Sequence, residues 1–207
     1  RDDAHRLQFP IDVQLTHAIA MRLTGDAARS EQLLWKIVSD NPTYEDAYLE
    51  LFRTYFEQSD PAKAVNVLAK WLAADPGNVR ARLLRAQLMQ RGRRTDTAEL
   101  ELLQLFHDQP HSAEILSALR EFYADANRIE DYITKLEEER KAHPDNREAV
   151  EELVEIYYSQ KRLPAALREL DAARQAVAND PDLLYYIAHV YGRIDQKQTE
   201  ENLLEEV

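Results

Sequence analysis

Leucine stands at positions 34, 68, 102, 136, 170 and 204, at a constant interval of 34 residues. A second row keeps the same register through Met21, Tyr55, Met89, Tyr123, Tyr157 and Tyr191, and turn prolines at Pro42, Pro76, Pro110 and Pro144 share the spacing. A period of this length on apolar and proline markers specifies a two-helix unit that cannot bury its apolar face alone, so that stacking supplies the core. The expected fold is all-α, a solenoid of antiparallel helix pairs with about twelve helices. At 207 residues, length alone would suggest one or two globular domains. The repeat replaces that estimate with a single elongated array over residues 11–207, its units starting near 11, 45, 79, 113, 147 and 181.

Composition narrows the class of function. With 44% hydrophobic residues and only 4 glycines, the chain has enough apolar surface for a continuous core and little room for a structureless linker. A formal charge of -12 argues against a nucleic-acid surface, which needs clustered Lys and Arg. Residues 1–112 carry 14 Lys and Arg against 16 Asp and Glu, whereas residues 113–207 carry 12 against 22, so the C-terminal half is the acidic half. No window approaches the ~18 apolar residues of a membrane span, and the start, Arg1-Asp2-Asp3-Ala4-His5, lacks a signal-peptide core. The segment reads as soluble, without direct membrane insertion. Absence of cysteine removes disulfides, thiolate zinc sites and cysteine nucleophiles, and suits a cytoplasmic or a periplasmic setting equally.

The turn chemistry places the helices. Thr43 and Asp46 read as a capping box opening a helix near 44–58, and Asp60-Pro61 as N-cap and first-turn proline of a helix near 61–74 that ends at Asp75-Pro76-Gly77. Ser112 reads as the cap of a helix near 113–125, and Pro164 suits the first turn of another. Pro181 lies 37 residues after Pro144, yet the leucine and tyrosine rows keep their interval. The proline has therefore moved to the first turn of the next helix, with Asp180 as N-cap and the preceding helix expected to reach Ala178. Residues 1–10 read as the tail of a preceding helix or an N-terminal extension, and Leu203-Leu204 as part of a final second helix. Ends of this kind suggest a fragment of a longer array, or an oligomer that covers them.

Counted from those unit starts, the pattern resembles the tetratricopeptide repeat family over nearly the whole chain. Tyr48, Leu51, Tyr55, Ala64, Leu68 and Pro76 fall on the family's positions 4, 7, 11, 20, 24 and 32. The resemblance implies a right-handed superhelix with a concave groove lined by the first helix of each pair. The family prefers small residues at positions 8, 20 and 27, where the fourth unit has Arg120, Tyr132 and Glu139. Two readings follow: a wider packing filled by long side chains, or a half-buried Arg120–Glu139 ion pair. In the second unit, Phe52 and Trp71 around small Ala64 read as steric compensation.

No catalytic or metal-binding motif emerges. Six histidines, at 5, 17, 107, 111, 143 and 189, form no zinc-binding pattern; His107 and His111 are one helical turn apart, but Pro110 between them implies a solvated turn. Glycine-rich phosphate loops and nucleophile elbows are missing, and runs such as Glu137-Glu138-Glu139 read as solvated helix faces. No cofactor is implied.

Family positions 2, 5, 9, 12 and 13 supply the groove hypothesis. They select Leu15, Ile19, Arg22, Leu49, Arg53, Phe56, Arg80, Leu83 and Arg91 in units one to three. In units four to six they include Glu114, Glu121, Asp125, Glu148, Glu151, Glu155, Tyr158, Tyr185 and His189. The expected function is a non-catalytic protein–protein interaction scaffold, taking an extended or helical partner segment whose acidic part faces the first group and whose basic part faces the second. The chaperone-tail clamp known in the family is disfavoured, because Leu15 and Ile19 occupy its opening positions. The alternatives are a rigid spacer in a larger bacterial-type envelope-assembly or polysaccharide-export protein, whose acidic groove would also suit a cationic polymer, and an enzyme with an unrecognised carboxylate site.

Overall fold

The computed structural model describes residues 9–144, 146–176 and 181–193. Among them lie eleven helices and no strand: α1 (Ile11–Leu23), α2 (Ala27–Asp40), α3 (Glu45–Glu57), α4 (Pro61–Ala74), α5 (Val79–Arg91), α6 (Thr95–Asp108), α7 (Ala113–Asp125), α8 (Ile129–Ala142), α9 (Arg147–Ser159), α10 (Leu163–Ala176) and α11 (Pro181–Arg193). The expected Asp180 cap, the extension to Ala178, the helix at Leu203-Leu204 and any helical tail over residues 1–8 lie outside the described residues. No described helix is long and apolar enough to cross a membrane.

The chain divides into two compact units, residues 1–101 and 102–207. In the first, α1 to α5 pack in succession, and α1 also touches α3. In the second, α7 to α11 pack likewise in succession, and α7 also touches α9. The leucine row is the spine of both cores: Leu34, Leu68, Leu102, Leu136 and Leu170 are all buried. One such leucine stands in each described second helix, and burying its side chain stabilises the stack by ~1.5–3 kcal/mol per residue.

The second row of markers explains how each pair turns. Gly25, Ser59, Arg93, Asn127 and Lys161 all have positive φ, between 54° and 91°. Each ends a first helix in the left-handed conformation, and the next residue donates its N–H five residues back: Asp26 to Met21, Asp60 to Tyr55, Arg94 to Met89, Arg128 to Tyr123 and Arg162 to Tyr157, at 2.7–2.9 Å. This closure satisfies carbonyls that the helix end leaves open. Among the described turns only the first repeat uses glycine for it; Ser, Arg, Asn and Lys accept the strained backbone in the next four repeats.

Helix starts follow the sequence with one correction. Asp60 accepts from the Lys63 N–H at 3.0 Å and Ser112 from the Ile115 N–H at 3.4 Å, as the turn residues imply. Asn78 and Asn146 cap α5 and α9 in the same way, at 3.0 and 3.1 Å. The Thr43–Asp46 capping box does not form: Tyr44 holds the N-cap position without a side-chain cap, and its hydroxyl donates to Asp12 at 2.8 Å. Thr43 stands one residue too early to reach the first turn.

Arg120 and Glu139 do not form the ion pair considered from sequence. Arg120 meets Glu152 at 3.4 Å, while Glu139 bonds His143 Nδ1 at 2.8 Å and accepts from the Asn146 amide at 3.1 Å. Tyr132, fully buried, fills the space instead, stacked on Tyr123 and donating its hydroxyl to the Leu116 carbonyl at 3.0 Å. His107 also departs from the turn assigned to it, since it lies in the last turn of α6.

Candidate functional site

The faces selected from the repeat positions lie on α1, α3 and α5 in the first unit and on α7, α9 and α11 in the second. Helix periodicity puts positions 5, 9 and 12 near one face, and the core claims the residues between them. In α3, Tyr48, Leu51, Phe52 and Tyr55 are buried, whereas Leu49 and Phe56 are half-buried and Arg53 is exposed. Leu15, Ile19 and Leu83 are half-buried as well.

Three of the charged members, Arg22, Arg53 and Arg80, are ion-paired, mostly to the neighbouring helix pair. Arg22 bonds Glu57 at 3.0 Å and Glu50 at 3.4 Å, and Glu50 also receives Arg53. Arg80 meets Glu45 at 3.4 Å. Arg91 lies over the Phe56 ring, 4.3 Å from its centroid, where the ring quadrupole attracts the guanidinium. Thus Glu50, buried and absent from the sequence-based set, ties Arg22 to Arg53.

Three acidic members of the second unit, Glu148, Glu151 and Glu155, are paired in turn. Glu148 bonds His111 Nδ1 at 2.9 Å, and Arg147 reaches Glu151 at 3.2 Å and Asp182 at 3.6 Å. Arg193 bonds Glu155 at 2.6 Å and lies over the Tyr158 ring at 4.6 Å. The Tyr186 hydroxyl donates to the Glu151 carbonyl at 3.4 Å, so α9 and α11 meet along this face. Glu114 and Glu121 are exposed, as is His189.

Burial sets the electrostatics here. It pushes the carboxyls of Glu151 and Glu152 above the ordinary carboxylate value. Burial pushes Glu148 upward, but its bonds to His111 and to its own backbone N–H, with the charges of His111 and Arg147, together outweigh this and hold the group low. Among the described residues no three His, Asp or Glu side chains are grouped to hold a metal ion.

Two large aromatics remain available. Tyr185 is 61% exposed and Tyr158 37%, although Leu184, Ile187, Ile156 and Tyr157 beside them are buried. Two features of this surface escaped the sequence reading. Glu50 and Glu152 occupy the same repeat position, the sixth, and a search for acids spaced about one repeat from each arginine would have exposed them. Arg94 is the other, standing where the first two repeats have Asp26 and Asp60.

Models of the tetratricopeptide repeat match the chain over residues 22–88, 55–122 and 122–181. The chain belongs to the tetratricopeptide repeat family, whose members generally act as protein-interaction scaffolds. No curated protein sequence matches it significantly. Among solved structures it is similar to Pseudomonas aeruginosa pilF, with 16% identity, a TM-score of 0.51, and coverage of 93% of this chain and 88% of that one. It is also similar to the APC/C hetero-tetramer Cut9-Hcn1, with 14% identity, a TM-score of 0.50, and coverage of 95% and 39%. MamA MSR-1 shares 24% identity over 70% of this chain and 77% of that one, with a TM-score of 0.43. Likeness at these identities concerns the fold.

Proposed function

We propose that the exposed faces of the first helices take an extended or helical segment of a partner protein. The observation that carries this reading is the exposure of Tyr158 and Tyr185 on first-helix positions whose neighbours are buried. A large aromatic left in water offers apolar area and a hydroxyl at low entropic cost to a partner, which is why such residues anchor interfaces. In the first unit Leu15, Ile19, Leu49, Phe56 and Leu83 play the corresponding part.

The ion pairs refine the charge-divided groove. Because Arg22, Arg53 and Arg80 already face Glu50, Glu57 and Glu45, an incoming carboxylate must exchange with an internal one. Glu151 and Glu155 pose the same condition to an incoming cation. The charges then contribute orientation and encounter rate, and the apolar residues most of the affinity.

The test is affinity capture from separated cytosolic and envelope fractions of the source organism, using the native chain, an Arg53→Glu, Arg80→Glu, Glu151→Lys, Glu155→Lys variant and a Tyr158→Ala, Tyr185→Ala variant. Circular dichroism verifies each fold. A partner held by the native chain and lost by the tyrosine variant supports the reading; equal capture by all three places binding on another surface, and no capture supports a spacer role.

A further inference from the structure

The loop joining α5 to α6 breaks a pattern that the later repeats keep. Arg94, Arg128 and Arg162 occupy the same repeat position, immediately before a second helix. Arg128 stacks on Tyr123 at 5.4 Å and bonds Asp131 at 2.7 Å; Arg162 stacks on Tyr157 at 4.6 Å and bonds Glu130 at 2.8 Å. The residues at the corresponding offsets from Arg94 are Met89, Thr97 and Ala62, none acidic or aromatic. Arg91 and Arg93 flank it, and no ion pair is formed by any of the three among the described residues. Arg80, Arg82 and Arg85 on the preceding helix are all paired to carboxylates.

Arg91 and Arg94 border a recess with an apolar floor and a polar rim. A recess of about 440 Å³ is lined by Phe56, Pro61, Val65 and Leu88 with Arg91 and Arg94 at its wall. A second recess of about 160 Å³ shares Val65, Leu88 and Arg94. The larger volume lies in the range of ligand sites and admits a bulky apolar side chain. Asp60 also lines it, but its carboxylate is engaged in capping α4 through the Lys63 N–H. Val65 is 46% exposed on this wall.

We propose that this recess docks a partner peptide in which an aromatic or leucine side chain is flanked by Asp or Glu. The apolar side chain enters between Val65 and Leu88, and the flanking carboxylates meet Arg94 and Arg91, which have no internal anion among the described residues to exchange. That last point sets the recess apart from the ion-paired first-helix faces. The inference rests on reading the chain as an interaction scaffold, and shares only Phe56 and Arg91 with the faces proposed above.

The test exploits the repeat itself. Arg94→Asp restores the residue type that caps α2 and α4, so the variant should melt at or above the native temperature while losing the site. Random short peptides are selected by display on the native chain, and the enriched ones are measured by fluorescence anisotropy. Expected are peptides with acidic residues around an aromatic or leucine, weakened about tenfold or more, equal to at least one decade in Kd, by Arg94→Asp and by Val65→Glu. Selection of no peptide, of peptides without that pattern, or of peptides that bind Arg94→Asp as they bind the native chain overturns the proposal. Peptides lost by Tyr158→Ala, Tyr185→Ala but kept by Arg94→Asp would overturn it and leave the first-helix reading standing; peptides lost by Arg94→Asp but kept by the tyrosine variant would support the recess and count against the first-helix faces. Self-association abolished by Arg94→Asp, with no peptide selected, would identify a second copy of the chain as the occupant and overturn the peptide assignment.

Discussion

The α3–α4 pair of the first unit and the α7–α8 pair of the second solve one packing problem with opposite residues. In α3–α4, Tyr48 stacks on Trp71 at 5.3 Å and 7°, while small Ala64 is fully buried. In α7–α8, Tyr123 stacks on Tyr132 at 5.5 Å and 9°, and Tyr132 occupies the position of Ala64. The position of Trp71 is taken by Glu139, which turns away to hold the buried Asn146 cap of α9. Each pair keeps one near-parallel aromatic stack, but at a different level of the helices. What the two pairs share is filled volume, not residue size at a given position.

The largest effects should come from removing either stack. Trp71→Ala and Tyr132→Ala should each lower stability by ~3–5 kcal/mol, read by urea unfolding. A small loss at either site would mean that its neighbours collapse into the space, and that the two stacks are not equivalent.

Moving the solution between pairs should have intermediate effects. Ala64→Tyr alone overpacks α3–α4 and should cost ~1–3 kcal/mol, since Trp71 already fills the site. Added to Trp71→Ala, the same substitution should recover part of the loss, with a coupling of ~0.5–3 kcal/mol. Additive losses would show that the backbones of the two pairs, and not their side chains alone, are adapted to different fillings.

The smallest effects are electrostatic and differ in sign between the units. Burial pushes Glu101 upward, but its bonds from Arg82 at 2.6 Å and Arg85 at 2.8 Å outweigh this and hold it below the ordinary value of 4.5. Burial raises Glu151, Glu152 and Glu169 in the second unit. A depressed carboxyl contributes stability that is present above its unfolded value and is lost as pH falls through the folded value. A raised carboxyl contributes stability present below its unfolded value and lost as pH rises through the folded one. Lowering the pH from neutrality toward 4.5 should therefore increase amide protection around Glu151, Glu152 and Glu169, and Glu148, held low, should oppose the change only at lower pH. Protection around Glu101 should decline only at lower pH. Hydrogen exchange with carboxyl titration by NMR checks both signs, and a common direction in the two units would contradict the assignment.

Much of the fold was legible because it is periodic. Buried leucines recur with the interval, and the caps Asp60 and Ser112 follow from local turn chemistry, so one repeat teaches the reading of the next. Where the reading failed, a nonlocal choice decided: the Tyr44 hydroxyl reaches Asp12, and Glu139 serves a cap rather than Arg120. The candidate faces were legible as positions, since helical spacing fixes which residues share a side. Their charge pairing was not, because Arg22 to Glu57 and Arg193 to Glu155 bridge separate helix pairs. Arg94 escaped because its lack of an ionic partner among the described residues is visible only once the partners of Arg128 and Arg162 are seen.

The central claim is that the outward aromatics of the first helices serve a partner and not the core. Its most direct test is to measure, on Tyr158→Ala, Tyr185→Ala and the native chain, both the urea unfolding midpoint and the calorimetric affinity for a captured partner. The account predicts stability lowered by at most ~1–2 kcal/mol, because Arg193 lies over the Tyr158 ring, with affinity reduced about tenfold or more. Unchanged affinity, or a large loss of stability, would contradict it.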